Sequence, residues 1–344
     1  MSLARAIETG DLAELPSRRD EDWRWTDLRG LIRTMPAAAG RGEVWGPGLF
    51  SQLAADDRAE IVNGRGPAEL VLAGAGRTLE LRFIADGSGA SSAHLRLVVE
   101  PDAKGAVLLE THEASDPGAL AGIDLRIDIA PGASLERVVI VETDAEAVLV
   151  SLAEVSLGAG ARFSQTVIVE GSRRQRAETH IAHPGHGAEA RLDGVYLLAG
   201  RRHADITTVV THDGVDGATD QLTKGVVADL ARGVFQGRIV VMPGADRTDA
   251  KMGHHALILS DRAEVDAKPE LEIFADDVAC AHGNTVGALD EEALFYAEQR
   301  GIPEAEARAM LTEAFVGEVI DRIAHEGARE VVRAWVADRL GAVS

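Results

Sequence analysis

From about Pro67 to Gly287 the chain repeats one texture: short apolar runs parted by glycine, proline, aspartate and asparagine. AELVLAG, LELRFIA, HLRLVVE, IDLRIDIA, ERVVIVE and FSQTVIVEG are of strand length, rich in valine, isoleucine and leucine, and closed by turn residues. No helix of ordinary length fits between them, which argues against βαβ units and a Rossmann sheet. The stretch is longer than an ordinary sandwich needs, and a stacked β-helix accounts for its length and its lack of helices. No clean sequence period marks the coils. The expected fold class is mainly β: a β-helix core over 66–287 between an N-terminal helical region, 1–65, and a C-terminal helical region, 288–344.

Beyond Asp290 the apolar spacing turns helical. Asp290 is a suitable N-cap for EEALFYAEQR, Gly301 a stop, and Pro303 suits the first turn of a second helix. Met310 or Leu311, Ala314 or Phe315, Val319 and Ile323 follow at helical spacing, and a further helix carries Val331, Val332, Trp335 and Val336. So short a tail has no strong core of its own and must dock on the β body or on a partner.

Composition narrows the function. Hydrophobic residues make up 46% and aromatics 4%, so the core is aliphatic and a ring-stacking sugar cleft is disfavoured. A net charge of −21 argues against nucleic-acid or anionic-membrane partners. One cysteine excludes an internal disulfide framework. The N-terminal stretch holds no apolar run of signal-peptide length, and the expected location is the cytoplasm. Phosphate-loop, G-x-G-x-x-G, H-E-x-x-H and G-x-S-x-G motifs are absent, which leaves no self-sufficient nucleotide or hydrolase site.

The candidate chemistry centres on Cys280 and His282. Two residues apart in a strand, they share a face, and a soft sulfur beside an imidazole suits zinc, copper or iron–sulfur chemistry. Two donors cannot fill a tetrahedral site, so further ligands must come from elsewhere. Just before them the apolar parity shifts, which suggests a bulge near Asp276–Asp277. His203, Asp205 and Thr207, followed by His212, read as the wet face of a sheet, with a metal or proton-handling face as the alternative. Gly225, Gly233, Gly237 and Gly244 fit tight turns, and Lys251, His254 and His255 lie near one; adjacent in an extended strand, the two histidines point to opposite faces. In RRDEDWRW, the charge run reads as solvated and the tryptophans as helix packing, with a partner contact as the alternative.

RRDEDWRWTDL, KGVVADLARGVFQGRIVVMPGADRTDA and LSDRAEVDAKPELEIFADDVACAHGNTVGALDEEALFY together resemble the SufB/SufD family of the SUF iron–sulfur cluster assembly system, on its SufD side. The resemblance implies a right-handed parallel β-helix and a non-catalytic scaffold that pairs with SufB and binds the SufC ATPase through its C-terminal helical region, where Phe295, Tyr296, Met310 and Phe315 are the candidate contacts. It implies no cofactor held stably by the chain alone, but a transient cluster at the partner interface. Cys280 and His282 match the family's C-x-H-G motif, His282 being the first candidate ligand. KMGHHA departs from the polar residues usual there. Two other readings compete: a β-helix carbohydrate-active enzyme using acidic pairs such as Asp276 and Asp277, and a purely structural homodimer.

Overall fold

A computed structural model describes residues 3–44, 46–183 and 185–343. Among these, seventeen strands wind into a parallel β-solenoid of two facing sheets. In chain order they are β1 (Asp57–Val62), β2 (Glu69–Leu72), β3 (Thr78–Ala85), β4 (Gly89–Val99), β5 (Ala106–Ala114), β6 (Ala119–Ile129), β7 (Ser134–Thr143), β8 (Val148–Leu157) and β9 (Arg162–Val169). They continue with β10 (Arg174–His183), β11 (Glu189–Leu198), β12 (His203–His212), β13 (Ala218–Val227), β14 (Arg232–Val241), β15 (Asp249–Ile258), β16 (Glu264–Ile273) and β17 (Ala279–Gly287). Odd strands form one sheet and even strands the other, every pairing parallel, so each coil gives one strand to each sheet. The coils differ in length: Val148 faces Arg174, 26 residues on, whereas Arg232 faces Glu264, 32 residues on. That drift is why no fixed period shows in the sequence.

Inward positions stack in columns. One runs Leu79, Leu108, Arg137, Gln165, Leu192, Gln221, Met252 and ends on His282. The columns are aliphatic with polar inserts: Arg137 grips Glu110 through two bonds of 2.7 Å and donates to Gln165 at 2.6 Å. Burial raises the Glu110 carboxyl, but Arg137 and His112 outweigh it and hold the pKa at about 2. Gly225 and Gly233 are not turn residues. Both lie within strands against the Tyr196 ring, and a Cβ on Gly225 would come within 1.8 Å of it. Gly237 likewise makes room for Met252; only Gly244 of the four sits in a turn, with φ +86°. Tight packing around one large ring, rather than chain reversal, places the glycines in β13 and β14.

Both outer faces are covered. The N-terminal region contains little helix: α1 (Leu3–Thr9), α2 (Leu28–Leu31) and two 3-10 turns, with β1 beginning ahead of residue 66. Leu3, Ala6, Leu15, Leu28 and Ile32 pack on Ala90, Leu120, Val148 and Val150 of the even sheet. Asp20 closes a turn onto Ser17, and Asp27 caps α2 through the Gly30 amide at 2.7 Å. At the other end come α3 (Glu291–Gln299), α4 (Glu304–Ile320) and α5 (Glu326–Val343). Asp290 caps α3 as its sequence suggested, accepting from Glu292 and Ala293 at 2.9 and 3.2 Å. Val316, Val319, Ile320, Ile323, Val332 and Val336 of the helical hairpin lie on Val138, Ile140, Ile168, Val195 and Leu197 of the odd sheet. Trp335 donates to Glu142 at 2.9 Å and stacks under Arg339. No helix among the described residues is long and apolar enough to cross a membrane.

Inside the solenoid His183 and His212 stack at 4.3 Å, fully buried. Burial above all depresses their pKa values, to about 3 and about 4, from the ordinary 6.5. A depressed histidine binds its proton in the unfolded chain first, so stability is lost as pH falls below 6.5 and continues to fall towards the folded value. His212→Gln is expected to reduce the slope of stability against pH between 6 and 4.5 by about 1.4 kcal/mol per pH unit, one proton's worth. Urea unfolding midpoints across that range test it; an unchanged slope would show that the imidazole is not excluded from protonation.

Candidate functional site

The solenoid ends on β16 and β17, each paired on one side only. In β15 the inward positions are Ala250, Met252, His254 and Ala256; their register partners in β17 are Cys280, His282, Asn284 and Val286. These four continue the core columns, yet no further coil covers them. Cys280 remains half-buried against the core, while His282, Asn284 and Val286 are exposed. On β16, Leu271 and Ile273 also face inward, opposite Ile239 and Val241. Ile273, Phe274 and Val286 are 41%, 59% and 43% exposed. The coil's open end therefore combines unpaired backbone, apolar surface and two potential soft-metal donors.

Asp276 and Asp277 do not form a bulge. They lie in the corner joining β16 to β17, which belong to different sheets, and the Asp277 carbonyl accepts from the Arg247 amide at 2.6 Å. The change of apolar parity marks this corner: a chain that crosses from one sheet to the other restarts its alternation.

Cys280 and His282 share a face, about 6.6 Å apart along the strand. Burial pushes the Cys280 thiol above its usual pKa, Asp249 adds to this, and the Ala250 backbone contact works against it. The resting sulfur is thus a thiol that must lose its proton to bind a metal. His254 belongs to the same end. Its Nδ1 lies 2.7 Å from Asn284 Oδ1 and its Nε2 is 2.9 Å from the Tyr196 hydroxyl, an arrangement met by a neutral ring protonated on Nδ1. Burial holds its pKa down at about 4, and the ring stacks on Phe235 at 4.6 Å. With both nitrogens engaged, His254 anchors Asn284 rather than presenting a free donor. His255, on the opposite face as its adjacency required, meets Thr285 at 2.7 Å. Neither lies at a turn: Lys251, His254 and His255 are all within β15. Among the described residues no three histidine, cysteine, aspartate or glutamate side chains gather as a metal site.

The row in β12 is not a wet face. His203, Asp205 and Thr207 are buried beneath the N-terminal segment: His203 Nε2 meets the Trp25 carbonyl at 3.0 Å, and Asp205 accepts from Thr26 at 2.5 Å and Arg176 at 2.7 Å. The Arg176 guanidinium lies 4.1 Å over the Trp23 ring. This row is a clamp, and RRDEDWRWT is the strap it holds. His212 lies elsewhere, inside the core. In the helical region Phe295, Tyr296 and Met310 are exposed, whereas Phe315 is packed between α4 and the sheet with Lys224 Nζ 4.4 Å from its ring. Tyr196 and Asn284 were not singled out from sequence; their signal is column parity with His254, legible only once register is known.

A parallel β-solenoid whose last coil leaves core-facing positions uncovered is the class of protein that the fold and site define. Comparisons with known proteins supply the family: residues 83–315 match the family described as SUF system FeS cluster assembly, SufBD core domain. The chain belongs to the SufBD family. It is 35% identical to the iron–sulfur cluster assembly protein SufD of Escherichia coli over 179 residues, 52% of this chain and 42% of that one. To a SufBD family protein of Synechocystis it is 32% identical over 169 residues, 49% of this chain and 37% of that one. Those alignments thus span less than half of either relative. Against a SufBD family protein of Mycobacterium bovis, identity is 27% over 96% of this chain and 90% of the relative.

The half-buried thiol gives a direct test of the resting site. Alkylation of Cys280 by iodoacetamide is expected to be several-fold slower than that of free glutathione at pH 7.5 and to keep rising above pH 9. A rate that levels off below pH 8 would mean an activated thiolate instead.

Proposed function

We propose that the chain is a non-catalytic scaffold of iron–sulfur cluster assembly, pairing through its open coil with SufB and carrying the SufC ATPase on α3 and α4. The observation that carries this reading is the uncovered terminal row of half-buried Cys280 and exposed His282, Asn284 and Val286. A parallel edge with an apolar rim is completed by strands of a similar solenoid, and a second copy of this chain meets the same requirement less specifically. Iron and sulfide are cargo here. Cys280 and His282 provide one half of a ligand set, and the partner's face provides the remainder. Absence of a phosphate loop fits an arrangement in which nucleotide hydrolysis belongs to the ATPase. Phe295, Tyr296 and Met310, apolar and exposed on α3 and α4, are the surface offered to it.

Anaerobic co-expression with SufB and SufC, followed by iron and acid-labile sulfide determination, tests the ligand role. His282→Ala is expected to leave the complex assembled and to lower iron and sulfide at least several-fold; unchanged contents would place the ligands wholly on the partner. Tyr296→Glu is expected to release SufC while retaining SufB, as read by co-purification. Retention of SufC by that variant would move its docking surface elsewhere.

A further inference from the structure

Where the N-terminal segment meets the start of β10, Arg18, Arg19, Arg29, Arg33 and Arg174 line one hollow of about 590 Å³. This is unusual in a chain of net charge −21. Elsewhere arginines face carboxylates: Arg232 lies 2.7 Å from Asp266, Arg238 2.7 Å from Asp22 and Arg247 2.6 Å from Asp216. Among the described residues none of the five in the hollow has a carboxylate at ion-pair distance. Arg29 is held by the backbone carbonyls of Leu15, at 3.0 Å, and Ala13. Arg174 is the most buried of the five; its Nη1 reaches the Arg173 carbonyl at 2.7 Å, but its Nε is buried without any partner. Asp27, the one carboxylate on the wall, is engaged in capping α2.

Five guanidinium groups facing one space repel each other, and the backbone contacts of Arg29 do not neutralise its charge. Burial, followed by Arg232 and Arg173, pulls the Arg174 pKa below the usual guanidinium value, with Asp27 partly opposing. An entering anion relieves the repulsion. Guanidinium forks match phosphate oxygens two at a time. The hollow falls within the roughly 300–1,000 Å³ of small-molecule sites, and Leu31 is its only large apolar wall residue, so charge rather than ring or alkyl packing decides what enters.

We propose that this hollow binds a phosphate-bearing small molecule, with the guanidinium groups of Arg19, Arg33 and Arg174 as donors. The site uses no residue of the terminal coil or of α3–α5 and stands independently of the scaffold function.

Isothermal titration of the full chain with pyrophosphate, orthophosphate and chloride at constant ionic strength tests it, alongside Arg174→Gln and the exposed Arg33→Gln. Saturable pyrophosphate binding is expected, weakened about tenfold by Arg33→Gln without change in the unfolding midpoint. Orthophosphate binding as tightly as pyrophosphate would also support the site and reduce its ligand to a single phosphoryl group. Pyrophosphate heats no different from chloride, or equal affinity in wild type and both variants, would overturn the proposal. An oligoglutamate peptide that binds where pyrophosphate does not would overturn it in favour of an acidic protein partner.

Discussion

Stacking governs this molecule. Each inward column is buried only because another coil lies over it, and the last coil has none. Met252 and His254 are buried because β17 passes above them, while their counterparts His282 and Asn284 are left open. The physical cost of an unfinished parallel edge is exposed apolar surface and unpaired amides, a cost that a capping segment or another chain relieves.

The remainder of the structure is consistent with an edge reserved for that purpose. The chain spends its own flanking segments on the broad faces: the tryptophan strap on the even sheet, clamped by Asp205 and Arg176, and the α4–α5 hairpin on the odd sheet, clamped by Glu142, Glu170 and Asp220. The strap reaches β16, where Glu21 lies 3.1 Å from Lys268, yet His282, Asn284 and Val286 of β17 stay exposed. The chain from α3 onward leaves from the end of β17, so the surface bearing Phe295 and Tyr296 is tied by a few residues to the strand bearing His282. Movement imposed on that helix has a short covalent path to the candidate ligands.

The β class, the stacked architecture and the Cys280–His282 face were legible in the sequence because they rest on short-range rules: strand-length apolar runs and i, i+2 parity. The helix caps at Asp290 and the dependence of the tail on docking were legible for the same reason. What misled were features decided by tertiary context. Gly225 and Gly233 look like turn residues until Tyr196 is placed against them. The His203–Asp205–Thr207 row looks wet because its cover comes from Thr26, 179 residues away. Many strands are apolar on both faces because helices and strap bury the outside, which hides the alternation that would have exposed register. Coil lengths that wander from 22 to 32 residues conceal the period.

Amide hydrogen exchange resolved at β17 is the most direct measurement of the claim that the last coil waits for a partner. In the isolated chain the amides of Ala279–Gly287 that point away from β15 are expected to exchange fast, and in the complex with SufB to become protected at least a hundredfold. If β17 exchanges equally in both states while the complex demonstrably forms, pairing does not run through the open coil, and the account is wrong.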